Sequence, residues 1–291
     1  MTRPCALVVD SGAVLPEAAH PGTTVVPLRI VFGGEVLRDG IDITAESFYA
    51  RLEAGEVPTT STPSPGEYLE AFRDCDARSD IVCLTIPHKL SAMHESATLA
   101  SRLLADSGDE RRVHVVDTGN AAAGFGLVAR AAAEMCAAGA PAEEVLRRID
   151  QARDDVRMYG TLRTLTYLAR SGRVPALVAG VTNLLGVHPI FELVRGEARR
   201  DALVRGEKRT VRAFQKCAQE NLPADTPLWL LVFHSGAPGP AAELRDALHQ
   251  VLAVGRSETI SLSPVMGAYT GPGMTGFAAM PLRGDELGEV P

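Results

Sequence analysis

The chain has 291 residues, 46% of them hydrophobic and 22% charged, with a formal net charge of −7. Such a composition is globular, and the length suits one large or two medium domains. The acidic balance argues against nucleic acid as the main partner, because phosphate neutralisation needs clustered positive charge. Short β-branched apolar runs at 6–10, 24–32, 81–86 and 113–117 predict strands. Between them lie helical patterns. Ser64-Pro65-Gly66-Glu67 is a capping box with proline at the first helical position, so a helix starts at Pro65. Residues 90–104 place Leu90, Met93, Ala97, Ala100 and Leu104 on one helical face. Residues 128–138 and 141–156 read as two more helices, separated by Gly139. Strands alternating with helices imply a doubly wound parallel sheet.

After residue 156 the pattern restarts less regularly. Strands at 158–163 and 186–194 flank an apolar helix at 175–185. A strand at 229–233, a helix at 241–252 and strands at 258–262 and 276–282 follow. The reading is therefore an N-terminal α/β domain, 1–156, and a second α/β domain, 157–291. The most apolar long stretch, 175–194, carries Thr182, Asn183, His188, Pro189 and Glu192, which are costly in lipid, so it reads as a buried segment rather than a membrane span. The N-terminus reaches Asp10 after one short apolar run, unlike a signal peptide. Cys5, Cys75, Cys83, Cys136 and Cys217 are odd in number and form no CxxC pair, as expected of reduced thiols in a cytoplasmic protein.

The search for catalytic motifs returns little. There is no GxxxxGK[ST], no GxSxG and no HExxH. The seven histidines show no metal-ligand spacing, so no metal and no cofactor is expected. Gly124 to Ala129 fits GxGxxA but starts seven residues after its strand ends, too late for a dinucleotide turn. Asp10 ends the first strand, as in aspartyl phosphatases, but Gly12 stands where their acid/base partner falls. Strand-end aspartates more often hold a turn.

The polar groups that look positioned are hydroxyls. Thr59, Thr60, Ser61 and Thr62 share one loop, Ser91 sits at a helix start, and Tyr269 lies within the glycine-rich Gly267-Ala268-Tyr269-Thr270-Gly271-Pro272-Gly273-Met274. Hydroxyls at a helix N-terminus suit a carboxylate, although serine and threonine supply caps and turns in every fold. A basic cluster follows: Arg195, Arg199, Arg200, Arg205, Lys208, Arg209 and Arg212. It reads either as a solvated face or as a dock for an anionic ligand or partner.

Taken in order, these segments resemble the DegV family of bacterial fatty-acid-binding proteins. The matches are VVDSGAVLP at 8–16, TTVVPLRIVFGGEVLRDGIDITAESFYARL at 23–52, PTTSTPSPGEY at 58–68, LSAMHESA at 90–97 and VHVVDTGNAAAGFGLV at 113–128. They continue with TLTYLARSGRV at 164–174, LLGVHPIFEL at 184–193, RGEKR at 205–209 and GAYTGPGM at 267–274. The resemblance implies a two-domain fold with a ligand tunnel between the domains. A long-chain fatty acid would lie there, its carboxylate on Thr60, Ser61 and Ser91. It further implies a non-catalytic lipid-binding subunit, which presents the carboxylate to a separate ATP-dependent fatty-acid kinase subunit and holds the acyl phosphate for phospholipid synthesis. Transient membrane contact is compatible with that role. Arg173 and Arg205 match basic positions linked to phosphoryl transfer. Tyr269 replaces the usual histidine, Ala92-Met93 a usual Gly-Thr, Thr62 a usual glutamine and Ser171 a usual glycine. Two other readings stand beside this one: a lipid sensor without phosphoryl transfer, and a stand-alone phosphatase or transferase using Asp10.

Overall fold

A computed structural model describes residues 3–15, 22–173, 187–283 and 286. The apolar helix expected at 175–185 lies outside the described residues. In chain order the first half holds β1 (Cys5–Asp10), β2 (Thr23–Val26), β3 (Arg29–Phe32), β4 (Glu35–Arg38), α1 (Ala45–Glu53), β5 (Thr59–Ser61) and α2 (Pro65–Asp74). It continues with β6 (Asp80–Thr85), α3 (Met93–Asp106), β7 (Val113–Asp117), α4 (Ala122–Ala137) and α5 (Ala142–Asp155). The second half holds β8 (Arg157–Thr161), α6 (Thr166–Ser171), β9 (Val187–Val194), β10 (Glu197–Arg205), α7 (Glu207–Asn221) and β11 (Leu228–His234). After these come α8 (Pro238–His249), β12 (Val254–Ser261), α9 (Pro264–Thr270) and β13 (Thr275–Pro281).

The first sheet is parallel throughout, in the order β2-β1-β6-β7. β6 is buried along its whole length, as a central strand covered on both faces should be. The expected strand at 24–32 is in fact two. Pro27 has no N–H to continue a ladder, and the chain changes sheets there. β2 stays beside β1, while β3 joins a small antiparallel sheet, β4-β3-β5. The hydroxyl-rich loop is thus partly a strand.

The second sheet, β10-β9-β8-β13-β11-β12, is antiparallel except for the β11–β12 pair. α4 packs between the two sheets, against β1 on one side and β8, β11 and β13 on the other. It is buried from Ala122 to Ala133, and alanine and glycine let both sheets approach closely. A Cβ on Gly126 would sit 2.8 Å from the Ala13 carbonyl oxygen. One hydrophobic core runs through this helix into both halves of the chain.

One further departure from the sequence reading and one long-range contact bear on the site. The helix expected from Leu90 begins at Met93. Leu90 and Ser91 lie in a preceding turn, where both backbone N–H groups donate to the Pro87 carbonyl at 2.8 and 3.2 Å. The turn of the β9–β10 hairpin also reaches across to the first sheet. The Gly196 N–H donates to the Gly119 carbonyl at 2.7 Å, and a Cβ on Gly196 would meet the Pro87 side chain at 2.8 Å. The hairpin is thereby held against the segments that follow β6 and β7.

Candidate functional site

In the first sheet the chain order reverses between β1 and β6, and the crevice beyond the carboxyl ends of such strands is where parallel sheets bind ligands. A cavity of about 100 Å³ lies there. Gly12 and Ile86 follow those two strands, Met158 and Phe191 face them from the second sheet, and Val265 and Met266 close the space from α9. The lining is almost wholly apolar. Its polar members are Ser91, Arg173, Tyr269 and Thr270. The Thr270 hydroxyl is turned back to the Met266 carbonyl at 3.0 Å, so it offers little to a ligand.

Arg173 and Tyr269 also line a neighbouring hollow of about 310 Å³, together with Thr59, Thr60 and Arg170. An almost wholly apolar space and a more polar one therefore meet at these two side chains. Around them the hydroxyls are paired. Thr60 Oγ1 and the Tyr269 hydroxyl are hydrogen-bonded across 209 positions of sequence. Thr62 Oγ1 lies 3.4 Å from Ser91 Oγ. When two hydroxyls bond to each other, one O–H is used and the other remains a donor. Two such pairs keep two donors, a match for the two oxygens of a carboxylate. The Arg173 guanidinium stands 5.6 Å from the Tyr269 ring centroid, a cation–π distance that keeps positive charge beside the mouth.

Of the residues singled out in the sequence, Thr60, Ser91, Tyr269 and Arg173 are brought together. Ser61 and Arg205 are not. Successive strand residues face opposite sides, so with Thr60 turned to Tyr269 and Thr62 to Ser91, Ser61 points away; it is exposed and lines neither space. Arg205 ends β10 on the surface and lines neither space. Thr62, named among the loop hydroxyls but not placed at the carboxylate in the sequence, faces Ser91, although it too lines neither space.

The glycine-rich stretch also differs from expectation. Tyr269 is in the last turn of α9 rather than in a loop. The glycines around it make room for protein side chains. A Cβ on Gly271 (φ 68°) would fall 2.2 Å from the Tyr167 ring, and one on Gly267 2.8 Å from Phe48.

Asp10 lies beneath the cavity. It is fully buried, its Oδ1 accepting from the Gly12 N–H at 2.8 Å and its Oδ2 from the Ile86 N–H at 2.7 Å. Burial pushes its pKa up to about 7, against the pull of those two N–H groups, and the nearby Asp39 carboxylate pushes the same way. A carboxylate turned inward onto backbone holds a turn, and offers no nucleophile to the cavity.

The whole-chain comparison decides the family. Residues 4–282 match the model of the "Uncharacterised protein, DegV family". The chain belongs to the DegV family. It is 32% identical over 281 residues to a DegV domain-containing protein of Streptomyces coelicolor, covering 95% of this chain and 98% of that one. It is 31% identical over 239 residues to a fatty acid-binding protein of Thermotoga maritima, covering 79% and 80% of the two chains. The structure of a fatty-acid-binding DegV family protein from Thermus thermophilus superposes with a TM-score of 0.85 at 30% identity, over 96% of this chain and 100% of that one. The DegV fold thus extends across both sheets of the molecule and the crevice between them.

Proposed function

We propose that this DegV chain binds a long-chain fatty acid, with the acyl chain in the apolar cavity and the carboxylate at the mouth. The observation that carries the reading is the junction of an almost wholly apolar space with two hydroxyl pairs and one guanidinium. Burying each methylene contributes about 0.8 kcal/mol, so an acyl tail provides the affinity, while the hydroxyls select an acid over a hydrocarbon. Ser91, Thr60, Thr62 and Tyr269 are the head-group donors, and Ser61 serves at most through its backbone. The 30–31% identical relatives that bind fatty acids support the same ligand class.

The finer part of the reading is transfer. Arg173, at the mouth, and Arg205, on the surface, would serve a separate ATP-dependent fatty-acid kinase subunit that converts the carboxylate to an acyl phosphate. The two domains, 1–156 and 157–291, would enclose the tunnel, and the protein would act in the cytoplasm. Mass spectrometry of ligand extracted from the denatured protein, followed by palmitate titration of delipidated protein, tests the binding claim. A fatty acid in the extract and saturable uptake are expected; an empty extract with no uptake overturns it. Arg205→Ala is expected to keep palmitate affinity and slow phosphorylation by a kinase subunit, and Arg173→Ala, which removes the charge at the mouth, to weaken palmitate binding and slow phosphorylation. Unchanged phosphorylation would favour a lipid sensor.

A further inference from the structure

Helix α9 carries Tyr269 and two apolar wall residues, Val265 and Met266, yet no side chain of its own caps its start. Its N-cap, Ser263, makes no side-chain capping bond, and Pro264 at the first position has no N–H. The Ser263 hydroxyl makes no bond to its own helix and lies instead beside the Asp39 carboxyl. The first N–H of the helix, on Val265, points instead to Asp39 Oδ1 at 3.0 Å, 226 positions away. Asp39 is 3% exposed. A buried carboxyl at that point does what an N-cap does: it accepts an orphan N–H of the helix.

The backbone of Asp39 is itself held, while its Oδ2 is buried without a bonded partner among the described residues. Its own N–H donates to the Leu28 carbonyl at 2.9 Å, and the Leu28 N–H donates to Ser11 Oγ at 3.0 Å. Next to Ser11, Asp10 takes the Gly12 and Ile86 N–H groups. Gly12, Leu28, Ile86 and Val265 all line the cavity. Four wall residues from four separate segments therefore turn their N–H groups onto one Asp10–Ser11–Asp39 cluster. Within α9, Val265 and Tyr269 are four residues apart and share a face, so moving the first moves the second.

We infer that Asp39 is the tertiary N-cap of α9 and a positioning residue of the site, fixing Tyr269 at the mouth from the opposite half of the chain. The inference rests on the cavity being the acyl site, and its test separates the two. In delipidated protein, hydrogen exchange of the amides at 265–270 reads the cap without any ligand, and palmitate titration reads the site. Asp39→Ala is expected to speed exchange in α9 at least tenfold and to weaken palmitate binding at least tenfold. Asp39→Asn keeps an acceptor for the Val265 N–H, and is expected to stay within threefold of wild type in both. The double variant Asp39→Ala, Ser263→Asp supplies a local cap in place of the distant one, and is expected to recover most of both losses. It also guards against an Asp39→Ala variant that merely folds poorly. A weakening of binding caused by Tyr269→Phe in the wild type should vanish in the Asp39→Ala background, which general destabilisation would not produce. Unchanged α9 exchange in Asp39→Ala, or failure of both Asp39→Asn and the Ser263→Asp rescue to restore it, overturns the cap. Faster exchange with undiminished palmitate binding overturns the positioning role. No palmitate uptake by the wild type overturns the lipid reading, and the exchange data then judge the cap alone.

Discussion

Helices α2 and α9 both begin at a proline but are built in opposite ways. α2 carries its own start: Ser64 Oγ accepts the Glu67 N–H, the Glu67 carboxylate accepts the Ser64 N–H at 2.8 Å, and Pro65 presets the first turn. α9 has a proline in the same place but takes its first acceptor from Asp39. It ends at Gly271, whose positive φ lets Tyr167 pack where a side chain would otherwise stand. A locally built helix keeps its position when its surroundings change. A helix assembled from distant partners reports on all of them, which suits the element that places Tyr269.

The sharpest contrast should appear with pH, through Asp10. Its folded pKa, about 7, lies above the ordinary carboxylate value of 3.8. Between those values the folded protein keeps a proton that the unfolded chain releases. The stabilisation is therefore fully present below about pH 4 and is lost as pH rises towards 7. The full shift is worth about 4 kcal/mol. Urea unfolding of wild type and Asp10→Asn across pH 4–8 checks this: the wild type should lose more stability over the window, and parallel curves would remove Asp10 as the titrating group. Gly271→Ala should come next. A left-handed φ and a Cβ 2.2 Å from the Tyr167 ring are expected to cost about 2–4 kcal/mol of stability and to weaken palmitate binding, since the end of α9 must shift. Calorimetric melting and titration of the same variant check both.

How much of this was legible in the sequence follows the same division. The capping box of α2 and the β-branched runs of β1, β6 and β7 are local signals, and they place those elements to within a residue or two. The run at 24–32 misled because periodicity does not weigh Pro27, where the chain leaves one sheet for another. Ser91 was found, but as a helix start, because apolar spacing extends α3 back to Leu90 while the backbone turns at Pro87. Thr62 was named among the loop hydroxyls but not set at the carboxylate, although alternation from Thr60 turns it towards Ser91. Asp39 was beyond reach, since its partner is 226 positions away and no local pattern records the bond. The smallest expected effect completes the comparison. Ser64→Ala removes a cap that serves only α2, and should cost about 1 kcal/mol of stability while leaving palmitate affinity unchanged. Weaker binding in that variant would show that α2 is less independent than its cap suggests.

The inward turn of the four wall N–H groups has a consequence for hydration. A water molecule needs two to four polar partners to stay in a cavity. Gly12, Leu28, Ile86 and Val265 spend their donors on the Asp10–Ser11–Asp39 cluster, and Thr270 spends its hydroxyl on Met266. Among the described residues these five donors are not free to hold a water at the deep end, while the polar side chains Ser91, Tyr269 and Arg173 gather at the mouth. On the proposed reading, an incoming acyl tail would cross from a polar rim into an apolar interior, and the boundary between the two would mark where the carboxylate stops.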